Sequence, residues 1–469
     1  MTTSNSESTN TTSSRAGARL DRLPPSNWLR GILALLFLSW FVEAYDIGLT
    51  GSVLPSLTHQ YALSTTMKVF VSICANIGIV IGIVPAGRLA DRYGRRNVLI
   101  TGTAAYAVLA FSVGLSSGIT WFIILRMLDG IAMGAVFPLP YIYASELCPP
   151  NRRGRFTGWA DACLSIGYFL SPLLAVIFIP NLDSTGWRTM FLLGGIPIFF
   201  AIVVWRYVPE SPRWLESKGR FNEADAVLSN IESKTSASLG TSLPPIVPER
   251  TTPPVPQRGL SAILKPPLRR RSLTLWATFG GTFFVFYAIQ TFMPTVVNQM
   301  GFTLTSAFTF TAIIVGASIP GKFFEAWVVE RWGRRPVIIA FTLAAAIAAF
   351  AFGFVRGALP VLALGCLMSF FGIGVDPAVK TYTAESYPTE DRAWGTYTTE
   401  GIGRLLSGVV GPSLIPILLD NFGVGALFVL VGAVALAAVL VVVRFGHETV
   451  GMTLEESSSP TSPVLRAKI

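Results

Sequence analysis

The chain has 469 residues, of which 51% are hydrophobic and only 13% charged, and its mean hydropathy is positive. No ordinary soluble domain of this length has that balance, so a membrane protein is indicated. The net charge of +10 needs no nucleic-acid partner, because the basic residues alternate along the chain as membrane topology requires.

A Ser/Thr-rich polar tail occupies residues 1–28. Twelve apolar stretches of spanning length follow, centred near residues 43, 78, 107, 133, 168, 198, 286, 316, 347, 372, 406 and 434. The first is too long for a signal-peptide core and contains acidic residues instead of a small cleavable site, so it is read as a mature helix. Several stretches are interrupted by Gly and Pro, which bundles tolerate where neighbours satisfy the freed backbone groups. The expected class is an all-α membrane protein.

Basic residues set the orientation. About 29 of the 36 Lys and Arg fall in or beside the N-terminal tail, 92–96, 152–155, 206–271, 331–335, 392 and the C-terminal tail. The intervening loops hold little beyond Lys68, Arg188 and Arg356. Both termini are therefore expected in the cytosol, with the lipid bilayer as the first partner.

The chain repeats itself at an offset of 239 residues: Asp91-Arg92-Tyr93-Gly94-Arg95-Arg96 returns as Glu330-Arg331-Trp332-Gly333-Arg334-Arg335. At the same spacing Glu146, Pro149, Arg153 and Asp161 return as Glu385, Pro388, Arg392 and Glu400. A repeat this long in an apolar chain implies two homologous membrane halves around a midplane site, the plan of a secondary transporter. The expected division is a tail to 28, bundles at 29–208 and 273–446, a linker at 209–272 and a second tail at 447–469.

In the linker Ser211 can cap a short helix and Asn222–Ile231 has weak helical periodicity. Pro244, Pro245, Pro248, Pro253, Pro254 and Pro256 then predict a stiff tether between the halves. Leu268-Arg269-Arg270-Arg271 is placed at the membrane face, within reach of anionic lipid. Cys74, Cys148, Cys163 and Cys366 form no CxxC spacing, His59 and His447 form no cluster, and no phosphate-binding motif occurs. No metal, cofactor, ATP-driven step or enzyme chemistry is expected.

Three segments carry a family resemblance. Gly87-Arg88-Leu89-Ala90-Asp91-Arg92-Tyr93-Gly94-Arg95-Arg96 resembles the signature between helices 2 and 3 of the major facilitator superfamily. Arg126 to Gly134 (RMLDGIAMG) resembles its helix 4 motif, and Pro209-Glu210-Ser211-Pro212-Arg213-Trp214-Leu215 the segment after helix 6 in its sugar-porter and organic-ion branches. The resemblance covers residues 29–446. It implies the major facilitator fold, twelve transmembrane helices in two pseudo-symmetric six-helix bundles, alternating access and a monomer. A bacterial inner membrane suits the arginine-rich chain.

On that plan Asp91, Arg92, Arg95, Arg96, Glu146, Arg153, Glu330, Arg331, Arg334, Arg335, Glu385 and Arg392 form the gate, in pairs that exchange between two global states. Asp91 is expected to meet helix N-termini and the neighbouring arginines. Glu146 and Glu385 are expected to pair with the Arg clusters of the opposite loops.

Charges inside the membrane are costly and functional by default. Glu43 and Asp46 lie three apart on helix 1, and counting depth along the helices puts Asp46 level with Arg126 of helix 4. An Asp46–Arg126 pair resembles the proton-coupling pair of proton symporters in this superfamily, with Glu43 beside it. Arg404 falls near the middle of helix 11 and calls for a carboxylate, as in the aromatic-acid:proton symporters and organic-anion carriers that this stretch resembles. Glu43-Ala44-Tyr45-Asp46 resembles the helix 1 motif of the same symporters, with Glu and Ala standing for Asp and Gly.

Glu400 either neutralises Arg404 or joins the site. Tyr45, Tyr287 and Gln290 are further pocket candidates, and Lys380, four residues after Asp376, is a paired lysine or a second anion contact. The reading is a proton-coupled importer of a small organic acid, an aromatic monocarboxylate first. An organic cation or zwitterion, a sugar, drug antiport and a non-transporting sensor stay open.

Overall fold

The computed structural model describes residues 15–24, 26–147, 153–182, 185–240, 242–245, 260–266, 268–388 and 391–449; within these, the side chains of 15, 21, 141, 144–146, 153–160, 260 and 393 are not described. Among the described residues the regular structure is entirely helical. The first half comprises α1 (Arg15–Asp21), α2 (Asn27–Tyr61), α3 (Thr65–Tyr93), α4 (Arg95–Gly114), α5 (Ile119–Val136), α6 (Leu139–Leu147), α7 (Arg153–Asn181), α8 (Gly186–Leu193) and α9 (Pro197–Tyr207). The linker contributes α10 (Pro212–Ser217), α11 (Phe221–Leu239) and α12 (Leu260–Ile263). The second half comprises α13 (Leu268–Gln299), α14 (Leu304–Gly316), α15 (Ser318–Trp332), α16 (Arg334–Phe352), α17 (Ala358–Gly372), α18 (Asp376–Ser386), α19 (Arg392–Arg404) and α20 (Gly411–Phe445).

Local chemistry starts these helices. Ser26, Ser64, Ser211 and Thr303 cap α2, α3, α10 and α14, each accepting a backbone N–H three residues on. Eleven segments among the described residues are long and apolar enough to cross a membrane, and the last runs over 52 residues, Trp394–Phe445. That length spans about 78 Å as helix, more than twice a core of about 30 Å. It breaks at Gly423, whose φ of 79° is outside the helical range, so it makes two crossings. The twelve expected crossings are present.

In α2 and α13, 72% and 83% of the apolar window is buried, against half or less in the other spans. These two helices are therefore central, and they pack against each other across the halves. Further seams between the halves are formed by α7 with α14 and by α3 with α20.

Close backbone contact positions the charged helix α5. Gly78 and Gly82 of α3 face Met127 and Ile131, while Gly130 and Gly134 of α5 face Ala75 and Ile79. These are four-residue glycine spacings on both partners, the small-residue seam that lets membrane helices touch along their backbones. A side chain at Gly130 runs into the Ala75 carbonyl. Gly130→Leu is expected to lower stability by about 1–3 kcal/mol or more, read as a fall in the unfolding midpoint in detergent.

Several local expectations are revised. The helical piece of the linker is longer than its weak periodicity predicts, Phe221–Leu239. A short helix, α1, stands inside the polar tail, where Arg19 and Arg22 bind Glu232 of α11 at 2.7 Å each. Arg271 donates to the Ser386 carbonyl at 2.7 Å and Arg270 lies over the Phe445 ring at 4.7 Å, so both are engaged within the protein. Of the proline run only Pro244 and Pro245 lie among the described residues.

Candidate functional site

The first-half cluster is built on α2 and α5. Glu43, Asp46, Arg126 and Asp129 are all buried, with 0–2% of each residue exposed. One guanidinium nitrogen of Arg126 contacts both Asp46 Oδ1 and Asp129 Oδ2. The other donates to the Asp46 carbonyl at 2.6 Å and to Thr50 Oγ1 at 3.3 Å. Glu43 accepts from Ser39 at 3.1 Å, and its second oxygen, with Asp46 Oδ2 and Asp129 Oδ1, has no hydrogen-bond partner among the described residues. The Phe191 ring lies 5.3 Å from the guanidinium.

Two aspartates thus share one cation in a water-poor interior, with Glu43 buried beside Asp46, and Asp129 is a second partner that sequence reading did not assign. Such an excess of buried negative charge is unstable unless a proton neutralises part of it.

The second cluster surrounds Arg404. Its guanidinium takes the Glu400 carboxylate at 3.1 Å and lies 4.3 Å from the Phe137 ring, contributed by the first half. A six-residue π-helical turn, Leu405–Val410, begins directly after it, a local distortion frequent at functional sites. Tyr287 packs on Gly408 of that turn, and its hydroxyl and that of Tyr168 lie within electrostatic range of Arg404. Phe279 stacks on Phe283 at 4.1 Å, and Phe286 meets Tyr168 at 5.0 Å.

The aromatic side chains of α13, Phe279 to Phe292, are therefore interior. Gln290 donates to the Tyr168 carbonyl at 3.4 Å, while its buried side-chain oxygen has no partner among the described residues. Glu43 also feels the charge of Arg404, which links the two clusters. Tyr45 does not join them through its hydroxyl, which donates to the Met190 carbonyl at 2.9 Å.

A third cluster bridges the halves. Lys380 binds Asp376 at 3.0 Å, as its spacing predicts, and also Asp161 of the first half at 2.9 Å. Lys322 reaches the Asp161 carbonyl at 3.1 Å and Asp376 at 3.5 Å, and buried Glu325 lies alongside. Two carboxylates already hold Lys380. Sequence reading missed Lys322 and Glu325, although both stand out as charges in the apolar run Gly321–Val329. At the other end of the molecule, Lys68 and Thr65 bind Asp420 at 2.8 and 2.6 Å, again across the halves.

The repeated motifs form matching corners on the basic face. Glu210 accepts the N–H groups of Arg96 and Ser211 at 3.1 and 2.9 Å, at the start of α4. Glu448 accepts those of Arg334, Arg335 and Thr449 at 3.0, 3.1 and 2.9 Å, at the start of α16. A carboxylate at a helix N-terminus satisfies orphan donors and the dipole together. Gly94 and Gly333 turn the chain there with φ of 96° and 95°, and a Cβ on Gly333 would lie 2.7 Å from the Glu448 carboxylate.

Asp91 pairs with its neighbour Arg95 at 3.0 Å, one of its two expected contacts, but its side chain is exposed, and Glu210 in its place accepts the donors at the start of α4. Burial raises the Glu210 carboxyl, and the backbone donors oppose that rise. Glu210 and Glu448 are 238 residues apart, one short of the main offset, which hides the pair from a fixed-offset comparison.

Glu385 pairs with Arg334 at 3.2 Å, within its own half, and Arg334 reaches Glu330 at 3.6 Å. Arg331 lies over Trp327 at 3.9 Å, Arg92 over Tyr93 at 5.3 Å, and Arg392 donates to the Tyr387 carbonyl at 3.5 Å. Arg96 and Arg335 donate to the Trp205 and Val443 carbonyls. The Glu146 and Arg153 side chains lie outside the described residues.

The second corner carries a pH dependence. Burial, then the charges of Arg271 and Arg335, push the His447 imidazole from its usual 6.5 down to about 4. The docked 446–449 segment is thus favoured above pH 6.5, and that preference is lost as pH falls toward 4. At pH 5 the loss is about 2 kcal/mol, roughly a thirtyfold rise in opening. Amide exchange of residues 447–449, compared between pH 7 and 5 after correction for intrinsic rates, checks it.

A model of the Major Facilitator Superfamily matches residues 36–397 and 317–467. The chain is 30% identical over 442 residues to the niacin transporter NiaP of Acinetobacter baylyi, covering 93% of this chain and 98% of that one. It is 29% identical to the 4-hydroxybenzoate transporter PcaK of Pseudomonas aeruginosa, over 92% and 95% of the two chains. It is also 29% identical to a gallate transporter of Pseudomonas putida, over 90% and 92%. The xylose transporter XylE of E. coli, in a partially occluded inward-open conformation, shares the fold with a TM-score of 0.72 at 19% identity, over 90% of this chain and all of that one. Two six-helix halves, buried charges at their interface and a family match over most of the length agree: the chain belongs to the major facilitator superfamily and is a multi-pass membrane transporter, not an enzyme.

Proposed function

We propose that this protein imports a small aromatic monocarboxylate together with protons by alternating access. The observation that carries the reading is Arg404, a buried guanidinium among aromatic rings whose one carboxylate partner among the described residues, Glu400, comes from its own helix. A substrate carboxylate can exchange with Glu400 and accept two parallel N–H groups. Tyr287 and the phenylalanines of α13 supply faces for a ring, and the free Gln290 oxygen supplies an acceptor for a ring hydroxyl. Niacin, 4-hydroxybenzoate and gallate, named for the relatives above, each combine a carboxylate with an aromatic ring.

Proton coupling follows from the neighbouring cluster. An anion on Arg404 cancels the positive field felt by Glu43 and so favours proton uptake among Glu43, Asp46 and Asp129. Substrate and proton then enter as a neutral pair. The contacts Lys380–Asp161 and Lys68–Asp420 join the halves at two levels, as thick gates do when an alternating carrier closes. The Arg and Glu corners of the basic face act as latches on the cytosolic side, where both termini lie, and the carrier works as a monomer.

A second reading, a cationic or zwitterionic substrate, rests on the carboxylate excess around Arg126. Proteoliposome uptake of labelled benzoate and of a labelled organic cation, with and without an inward proton gradient, separates the two. Gradient-driven benzoate accumulation supports the acid. Gradient-responsive movement of the cation alone overturns it.

A further inference from the structure

A groove of about 440 Å³ lies on the basic face between the end of α9, the short α10, the side of α11 and Trp28 at the start of α2. Four cations line it, Arg96, Arg206, Arg220 and Lys234, against two carboxylates, Glu210 and Glu223. Both carboxylates are already engaged. Glu210 holds the backbone donors of Arg96 and Ser211, and Glu223 gives both oxygens to Arg220 at 2.7 and 2.6 Å.

Arg206 and Lys234 have no carboxylate partner among the described residues. Each rests against an aromatic ring instead, Tyr207 at 5.6 Å and Trp28 at 5.8 Å. The Nε of Arg96 is buried and lacks an acceptor among the described residues. The groove therefore has surplus positive charge and surplus donors, and its own acids cannot take them up.

Its height in the membrane is marked by α9, which ends in Trp205-Arg206-Tyr207. Trp205 is 58% exposed and Tyr207 61%, the aromatic signature of a membrane–water boundary. One turn and two turns earlier, Ile202 and Phe199 are exposed as lipid-facing residues. The groove thus opens at headgroup level, where phosphate is the prevailing anion. Donors converging from three elements suit a tetrahedral group with several oxygens better than one planar carboxylate.

We propose that this groove binds a phosphate-bearing anion, supplied by an anionic lipid headgroup or by a soluble phosphate ester, with Arg206 and Lys234 as its main contacts. The groove shares Arg96 and Glu210 with the first corner, so the test is placed on Arg206 and Lys234, which that corner does not use. The test is native mass spectrometry of the full chain with phosphatidylglycerol, with phosphatidylcholine, whose choline neutralises its phosphate, as the zwitterionic control. Phosphatidylglycerol is expected to bind in preference, and binding to weaken with rising salt. The R206Q/K234Q double variant is expected to bind it roughly thirtyfold less tightly, while R206K/K234R retains it.

Glycerol 3-phosphate is added as the soluble arm. Displacement of the lipid by millimolar glycerol phosphate assigns the site to soluble esters; no displacement assigns it to lipid. Equal phosphatidylglycerol binding by wild type and R206Q/K234Q overturns the proposal. So does equal loss in the charge-retaining variant, which makes the effect structural.

Discussion

Arg404→Ala is expected to lose about 3 kcal/mol of substrate binding, roughly a hundredfold in the half-saturating concentration for an aromatic acid. The loss is large because the site is dry. Only 5% of Arg404 is exposed, so no water replaces the charge-assisted bonds that the substrate forfeits. The variant should still fold, since Glu400 is 26% exposed at its side chain and can be solvated once its partner is gone. Arg404→Lys should fall between the two, keeping the charge but losing the planar fork. Initial-rate uptake against concentration, with the unfolding midpoint measured alongside, is the check. Unchanged half-saturation in Arg404→Ala would remove the anion site from this position and leave the fold untouched.

Asp46→Asn is expected to abolish accumulation against a gradient while exchange of substrate across the membrane persists. Asparagine cannot carry the proton, yet Asp129 still holds Arg126, so the cluster stays paired. The internal concentration should then level at the external one whatever the pH difference. Arg126→Leu should behave differently. It leaves Asp46 and Asp129 buried without their cation, at a cost of about 3–5 kcal/mol, and the folded yield should drop. Glu43→Gln completes the comparison, because Glu43 feels the charges of both Asp46 and Arg404. If Asp46→Asn accumulates substrate normally and Glu43→Gln does not, the proton is carried at Glu43.

Much of this was legible because membrane segments announce themselves. The twelve crossings follow from apolar length, and the Asp46–Arg126 pair from charges that the bilayer tolerates only with partners. The Asp376–Lys380 pair follows from a four-residue spacing. Less legible were contacts that join residues far apart in the chain. Asp161–Lys380 spans 219 residues and Lys68–Asp420 spans 352. Beyond its place as the repeat partner of Glu400, nothing local to Asp161 marks it as a partner of Lys380. Asp91 shows the opposite case: its motif was recognised, but Glu210, from the segment after the sixth crossing, holds the helix start it was expected to occupy.

The sequence alone therefore determined which segments enter the membrane, how they pair into two halves and which residues carry charge there. Those properties depend on transfer of each segment from water to lipid, a sum over neighbours in the chain. The tertiary structure alone decided the partners. Arg126 takes two aspartates, Tyr45 turns its hydroxyl away to Met190, and Lys380 is held by both halves. These outcomes depend on rotation and depth of packed helices, which glycine seams such as Gly78–Gly82 against Gly130–Gly134 set through contacts between backbones.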